Sequence, residues 1–251
     1  PQSVWAHTAD EIDFEALHGK RVAVIGAGAS AFDNAAASLE AGVASVVMIV
    51  RRPDLPRFNR FKGVVYGGFL HGHAHAGDSW RWHSLHQLMA DRVAPPRESV
   101  LKVTRDRRFR LALGCPVETA AMERDSLVLG TPSGPLTFDF VILGTGFAVD
   151  PLLRPELGGF AEHIALWRDR FPVPPDEPIE ELGSFPYLGP GFEFTERVPG
   201  SAPFLANLHC FNYAATLSHG PVAGDIPAVD HGAARLAAAI ARNFYLEDRE
   251  L

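Results

Sequence analysis

The segment Gly26-Ala27-Gly28-Ala29-Ser30-Ala31 offers a chemistry that depends on having almost no side chain. Gly26 permits a tight turn, and Gly28 lets main-chain N–H groups approach a pyrophosphate. Ala31 fills the third small position, where a helix and a strand pack closely. Farther on stand Arg51 and Arg52. An NAD site usually carries a carboxylate there, to accept the 2′-hydroxyl of the adenosine ribose. A carboxylate would repel a 2′-phosphate, whereas a guanidinium fork would hold it. The two groups together predict a dinucleotide site that prefers NADP(H) to NAD(H).

Such a site needs particular elements around it. The apolar run from Val22 to Ile25 predicts a buried parallel strand leading into the turn. Ala29 to Glu40 predicts a helix with Phe32, Ala36 and Leu39 on one face and Gly42 as its stop. The N-terminus of that helix offers free N–H groups and partial positive charge to phosphates. Val46 to Val50 predicts the second strand, which carries Arg51 and Arg52 to its end. The bland alternative is a strand–turn–helix that binds nothing, its arginines merely solvated. The required context on both sides of the glycines weighs against it.

With 251 residues the chain is long enough to bury a sizeable core, and 47% hydrophobic against 21% charged residues is ordinary globular composition. A net charge of −7 speaks against nucleic acid as partner. No apolar run approaches the ~20 residues of a membrane span, and Pro1 to Asp13 is not a signal peptide. Cys115 and Cys210 are isolated and read as buried thiols, which places the chain in the cytoplasm.

Other segments read as follows. Ile12 to Leu17 is a short amphipathic piece, and Pro53 to Gly77 is loop-rich. Trp80 to Arg92 is a helix with Trp82, Leu85 and Leu88 on one side, and Glu98 to Thr104 is a short helix. Phe109 to Leu113 is a strand. Val117 to Met122, Ser126 to Leu129 and Leu136 to Phe138, divided by turn signals, predict an antiparallel meander. Phe140 to Leu143 is a buried strand ending in Gly144-Thr145-Gly146. The Pro-rich stretch from Pro151 to Pro203 is irregular, and Phe204 to Phe211 returns to a sheet. Ala228 to Tyr245 is a helix with Leu236, Ala237, Ile240 and Phe244 on one stripe.

Gly26, Gly28, Ser30 and Ala31, with the approach Gly19-Lys-Arg-Val-Ala-Val and the strand ending Gly144-Thr145-Gly146, resemble the class B flavin-dependent monooxygenases. These are two-dinucleotide-domain flavoproteins whose NADPH fingerprint is commonly Gly-x-Gly-x-Ser-Gly/Ala. Their return strand usually ends in Ala-Thr-Gly, so Gly144 is a departure. Ala6-His7-Thr8 resembles the end of a signature these enzymes carry ahead of the fingerprint. The resemblance implies an α/β fold: a Rossmann-type parallel sheet with an antiparallel β-meander insert, plus a partial second, FAD-binding domain. It divides the chain into a lead-in at 1–19, an NADPH domain at 20–147 and the C-terminal part of an FAD domain at 148–251. The separate FAD fingerprint of such proteins has no counterpart here, so the chain is expected to be a fragment.

Gly224-Asp225 precedes the final helix. In many two-domain flavoproteins such an Asp contacts the FAD ribityl chain or phosphates, which makes Asp225 a cofactor candidate; an ordinary N-cap is the equal alternative. The histidines in Leu208-His-Cys-Phe-Asn-Tyr and Leu217-Ser-His-Gly are candidates for the flavin side. His71, His73 and His75 alternate and would share a face on a strand, but no carboxylate or cysteine completes a metal site, and none is expected. No Tyr-x-x-x-Lys pair and no CxxC is present, against short-chain dehydrogenase and thioredoxin-reductase chemistry. The expectation is an NADPH-dependent flavoprotein oxidoreductase, a monooxygenase acting on a small organic molecule. It would use NADP(H), and FAD in the full-length protein, with a homo-oligomer left open. A non-oxygenating NAD(P)H-dependent flavin reductase and a non-catalytic nucleotide-binding module are the alternatives.

Overall fold

The computed structural model describes residues 3–90, 93–177 and 180–249. In chain order the elements begin with β1 (Trp5–His7), β2 (Arg21–Ile25), α1 (Ala29–Glu40) and β3 (Ser45–Ile49). Next come α2 (Gly67–Gly72), α3 (Asp78–Ala90), α4 (Arg97–Thr104) and β4 (Phe109–Ala112). The strands β5 (Thr119–Glu123), β6 (Ser126–Thr131), β7 (Gly134–Phe138) and β8 (Phe140–Leu143) follow. The short helices α5 (Trp167–Arg170), α6 (Glu180–Gly183) and α7 (Thr216–His219) precede the long α8 (Val229–Glu247). The chain divides into two compact units, Pro1–Asn59 with Val93–Phe147, and Arg60–Arg92 with Ala148–Leu251.

The first unit is built on a five-stranded parallel sheet in the order β1-β8-β2-β3-β4. Its central strands are apolar on both faces because both faces are covered. Val22, Val24, Val46, Met48, Phe140 and Ile142 meet Phe32, Ala35, Ala36 and Leu39 of α1 and Val103 of α4. Ala23, Ile49 and Val141 point the other way, against Leu129 and Phe138. Those two belong to the three-stranded antiparallel meander β5-β6-β7. The expected α/β fold, a Rossmann-type parallel sheet with a meander insert, is therefore the one observed.

The compact units divide the chain differently from the expected domain limits in two places. The lead-in at 1–19 contains β1, which pairs with β8 at the edge of the same parallel sheet. Residues 60–92 lie in the second unit rather than with the rest of 20–147. The reason is packing: Phe69, Trp82, Leu85 and Leu88 share a core with Trp167, Leu182, Phe185 and Leu217.

The second unit is irregular, as its prolines foretell. A second core gathers Ile164, Leu166, Leu188, Phe192, Phe194, Leu205 and Val222. Within the loop-rich stretch Pro53 to Gly77, Gly67–Gly72 is helical. Two expectations fail here. Phe204 to Phe211 does not return to a sheet; Pro203–Asn207 is a 3-10 turn, and only an isolated bridge joins His209 to Glu193. On α8 the buried positions are Gly232 and Ala239. Ala237 and Phe244 lie on the exposed side, because the packed stripe runs through Gly232, Leu236 and Ala239 instead. The helix expected at Trp80–Arg92 forms as α3, and Asp91 and Arg92 lie outside the described residues. Among the described residues no helix is long and apolar enough to cross a membrane.

Candidate functional site

All five strands of the parallel sheet run the same way, so the turns that follow β2, β3 and β8 leave the sheet at one edge. Open α/β sheets bind their ligands at that carboxyl edge. After β2 the chain turns at Gly26, whose φ of +120° is open to glycine and strained for other residues. A Cβ there would also overlap the Gly144 carbonyl. The Gly26 N–H donates to Ile49 O at 3.0 Å, and the Gly144 N–H to Ile25 O at 2.8 Å, so the two turns are bound into the sheet.

Gly28 differs from Gly26. It is the exposed N-cap of α1, its backbone is ordinary extended, and a Cβ built on it would meet nothing within 4 Å. Nothing in the protein's own packing demands glycine there. The first turn of α1, Ala29-Ser30-Ala31, has no acidic residue and no side-chain cap. Its amides are left for an outside acceptor, and an anion suits them. Ala31 is buried, and it is Gly144 that must lack a side chain beside it: a Cβ on Gly144 would lie 2.7 Å from that of Ala31.

Arg51 and Arg52 follow β3 directly. Arg51 is exposed and Arg52 half-buried. The Arg52 carbonyl accepts from the Gly114 N–H at 2.6 Å, which fixes the backbone and leaves the guanidinium outside that contact. Among the described residues neither arginine forms an ion pair. Thr145 and Gly146, which follow β8, are exposed. The structure thus gathers Gly26–Ala31, Arg51, Arg52 and Gly144–Gly146 at one edge of one sheet.

Asp225 belongs to the other unit. It heads the 3-10 turn Ile226–Ala228, and its side chain caps neither that turn nor α8, which begins behind Ala228 without a side-chain cap. The N-cap explanation of this residue therefore fails. Gly224 packs on the Tyr213 backbone, and Ile226 beyond is 90% exposed.

Sequence reasoning missed the polar network that holds the chain just ahead of Asp225. Ser218 Oγ accepts from Trp167 Nε1 at 3.0 Å and from the Leu188 N–H at 3.2 Å. Arg81 donates to Ser218 O at 3.3 Å, stacks over Trp167 and pairs with Asp78. Arg235 of α8 donates to His219 Nδ1 at 3.2 Å and to Leu70 O at 2.9 Å. That fixes the tautomer, so His219 Nε2–H donates to Gly189 O at 3.0 Å. Burial, aided by Arg235, pushes the His219 pKa down to about 3. Burial likewise pushes His73, which bonds Leu217 O at 3.2 Å, down to about 4. His219 is buried with both ring nitrogens engaged, so it braces the segment rather than presenting itself to a cofactor. His209 is engaged too, with Nδ1 2.7 Å from Gly191 O. Only repeated His and Arg types hinted at this network; their burial depends on long-range packing.

His71, His73 and His75 do not share a face. They sit on α2 and the 3-10 turn after it, with His73 buried and the other two exposed. Among the described residues no group of three or more His, Cys, Asp or Glu could hold a metal ion. Cys115 and Cys210 are buried free thiols, and burial pushes Cys210 up to about 12.

The chain matches no protein-family model. Over its whole length it is 37% identical to 53% of an FAD-dependent urate hydroxylase from Xanthomonas campestris pv. campestris. The resemblance to flavin-dependent monooxygenases holds. The chain spans about half the length of that curated relative. Its fold is that of part of the N-hydroxylating enzymes. The reduced form of ornithine hydroxylase from Pseudomonas aeruginosa superposes with a TM-score of 0.65 at 17% identity, over 97% of this chain and 57% of that one. L-lysine 6-monooxygenase from Pseudomonas syringae gives 0.61 at 16% identity, over 96% and 58%. An ornithine N-hydroxylase from Kutzneria, solved with reduced FAD, NADP+ and L-ornithine, gives 0.63 at 14%, over 96% and 59%.

Proposed function

We propose that this chain is the NADP(H)-binding part and the C-terminal portion of the FAD-binding part of an NADPH-dependent flavoprotein hydroxylase. Urate, the substrate in the relative's name, is the first candidate among small organic molecules. The observation that carries the reading is one sheet edge bearing an uncapped helix N-terminus, an open Gly28 and two unpaired arginines. The donor set fits the cofactor: amides of residues 28–31 for the pyrophosphate, Arg51 and Arg52 for the 2′-phosphate. When bound, nicotinamide and flavin supply hydride transfer and oxygen activation. This chain's residues bind and orient them. In the same reading Gly144–Gly146 line the nucleotide, Asp225 faces the flavin side, and the protein works in the cytoplasm without nucleic acid or membrane partners.

Titration of the chain with NADPH and NADH tests this. NADPH is expected to bind more tightly, and replacing Arg51 and Arg52 by Ala to remove that preference while sparing NADH. A charge-assisted contact is worth roughly 1.5–3 kcal/mol. Water screens these exposed side chains, so the pair is expected to contribute about 1–3 kcal/mol, or roughly ten- to a hundredfold in affinity. Equal affinities for both nucleotides in the unmodified chain would overturn the assignment of the arginines.

Gly28→Val separates the ligand's space from the protein's. The new side chain points into empty surroundings, so the melting temperature should change little. It would occupy the volume of the phosphates, so binding of either nucleotide should be lost. A folded variant that still binds would show that this turn faces away from them.

A further inference from the structure

His7, the last residue of β1, uses both ring nitrogens in one neutral form. The Ala9 N–H lies 3.1 Å from Nδ1. A backbone N–H can only donate, so Nδ1 carries the lone pair and the ring proton sits on Nε2. That proton is donated to Gly146 O at 3.0 Å. The ring also meets Phe147 edge to face, with centroids 5.3 Å apart. The surrounding turn is closed on itself, with the His7 N–H donating to an Asp10 carboxylate oxygen at 2.8 Å and the Asp10 N–H returning to His7 O at 2.9 Å. Next along, the Thr8 N–H donates to Leu143 O at 3.1 Å. Leu143, Gly146 and Phe147 are thus held in succession by the segment after β1.

The turn itself has little else to hold it. Thr145, Gly146 and Phe147 are exposed, and Gly146 has a φ of +89° with nothing within 4 Å of where a Cβ would stand. An exposed glycine turn without packing of its own is free to sample other conformations, at an entropic cost to any ligand that needs one of them. We propose that His7 is a positioning residue, fixing the Gly144–Gly146 turn in the conformation that a bound dinucleotide meets. It rests on the nucleotide reading of this sheet edge. It acts through Gly146 and Phe147 and need not touch the ligand.

The experiment compares the unmodified chain with His7→Phe and His7→Gln in two measurements, amide hydrogen exchange without ligand and NADPH titration. Phe keeps a ring against Phe147 but can neither donate nor accept, whereas Gln keeps an N–H donor for Gly146 O. His7→Phe is expected to speed exchange at residues 145–147 about tenfold and to weaken NADPH about tenfold, the loss of roughly one hydrogen bond in each case. His7→Gln is expected to recover most of both. Unchanged exchange in His7→Phe would overturn the proposal, as would faster exchange with undiminished affinity. Losses in His7→Gln as large as those in His7→Phe would overturn the hydrogen bond to Gly146 O as the means of positioning. An unmodified chain that binds no NADPH would overturn the nucleotide reading, with exchange at 145–147 still deciding whether His7 holds the turn.

Discussion

Lowering the pH from 7 to 5 is expected to cost the second unit about 4 kcal/mol of stability. His73 and His219 are held as neutral rings in the folded chain, at about 4 and about 3, by burial first of all and by the nearby Arg81 and Arg235. In the unfolded chain both return to about 6.5. Below that value the unfolded state binds protons that the folded state refuses, so stability is fully present above pH 6.5 and falls as the pH falls. Each histidine then loses about 1.4 kcal/mol per pH unit, or about 2 kcal/mol at pH 5. Set against a typical total of about 5–15 kcal/mol, that is a large share. The loss continues until the folded rings themselves protonate, near pH 4 and below. The lowered carboxylates Asp106 and Asp139, near 2, titrate beneath this window. Urea unfolding followed from pH 8 to 4.5 would show the slope. His219→Gln, which retains a donor for Gly189 O, should roughly halve it. A midpoint that stays level between pH 7 and pH 5 would mean that the two rings are not confined as neutral species.

The first unit of this architecture was legible in the sequence because its signals are local. An apolar run, a glycine pair and a 3.6-residue stripe each specify their own element, and β8 and α1 form at Phe140–Leu143 and Ala29–Glu40 as expected. The meander was equally legible from its turns. What escaped was set by contacts distant in sequence. Nothing around His219 announces that Arg235 will reach its Nδ1 or that Phe192 will stack on its ring 3.9 Å away. Residues 60–92 gave no sign of joining the second unit, because Trp82 and Leu85 are apolar residues that any core would accept. On α8 the spacing of large side chains suggested one stripe, while the observed one runs through Gly232, which fits because a Cβ there would overlap the Val222 carbonyl. A small residue at a close contact leaves no mark on hydrophobic periodicity.

Gly26→Ala is expected to be the most damaging single substitution in the first unit, and Gly144→Ala a damaging one that can be relieved. At Gly26 two penalties coincide. The φ of +120° strains any side chain, by roughly 1–3 kcal/mol. The new methyl would also overlap the Gly144 carbonyl, which is backbone held in the sheet and cannot step aside. Together they should exceed about 4 kcal/mol and leave the unit poorly folded. At Gly144 only the second kind of penalty operates. An added methyl would lie 2.7 Å from the Ala31 Cβ, 3.1 Å from its Cα and 3.2 Å from Ile25 O, an overpacking that should cost about 1–3 kcal/mol. Gly144 is the departure from the resembled Ala-Thr-Gly pattern, whereas Ala31 matches its own, and the departure has a physical cause: a single methyl fits between the α1 turn and the end of β8, and here α1 contributes it. Ala31→Gly alone should cost about 1 kcal/mol through helix propensity and a lost contact. Combined with Gly144→Ala it should recover part of the loss, since the 2.7 Å contact disappears while the tighter backbone approaches remain. Thermal melts of the four species form a double-mutant cycle, with a favourable coupling of about 1 kcal/mol expected. Strictly additive losses would show that the two methyl groups never compete for the same space.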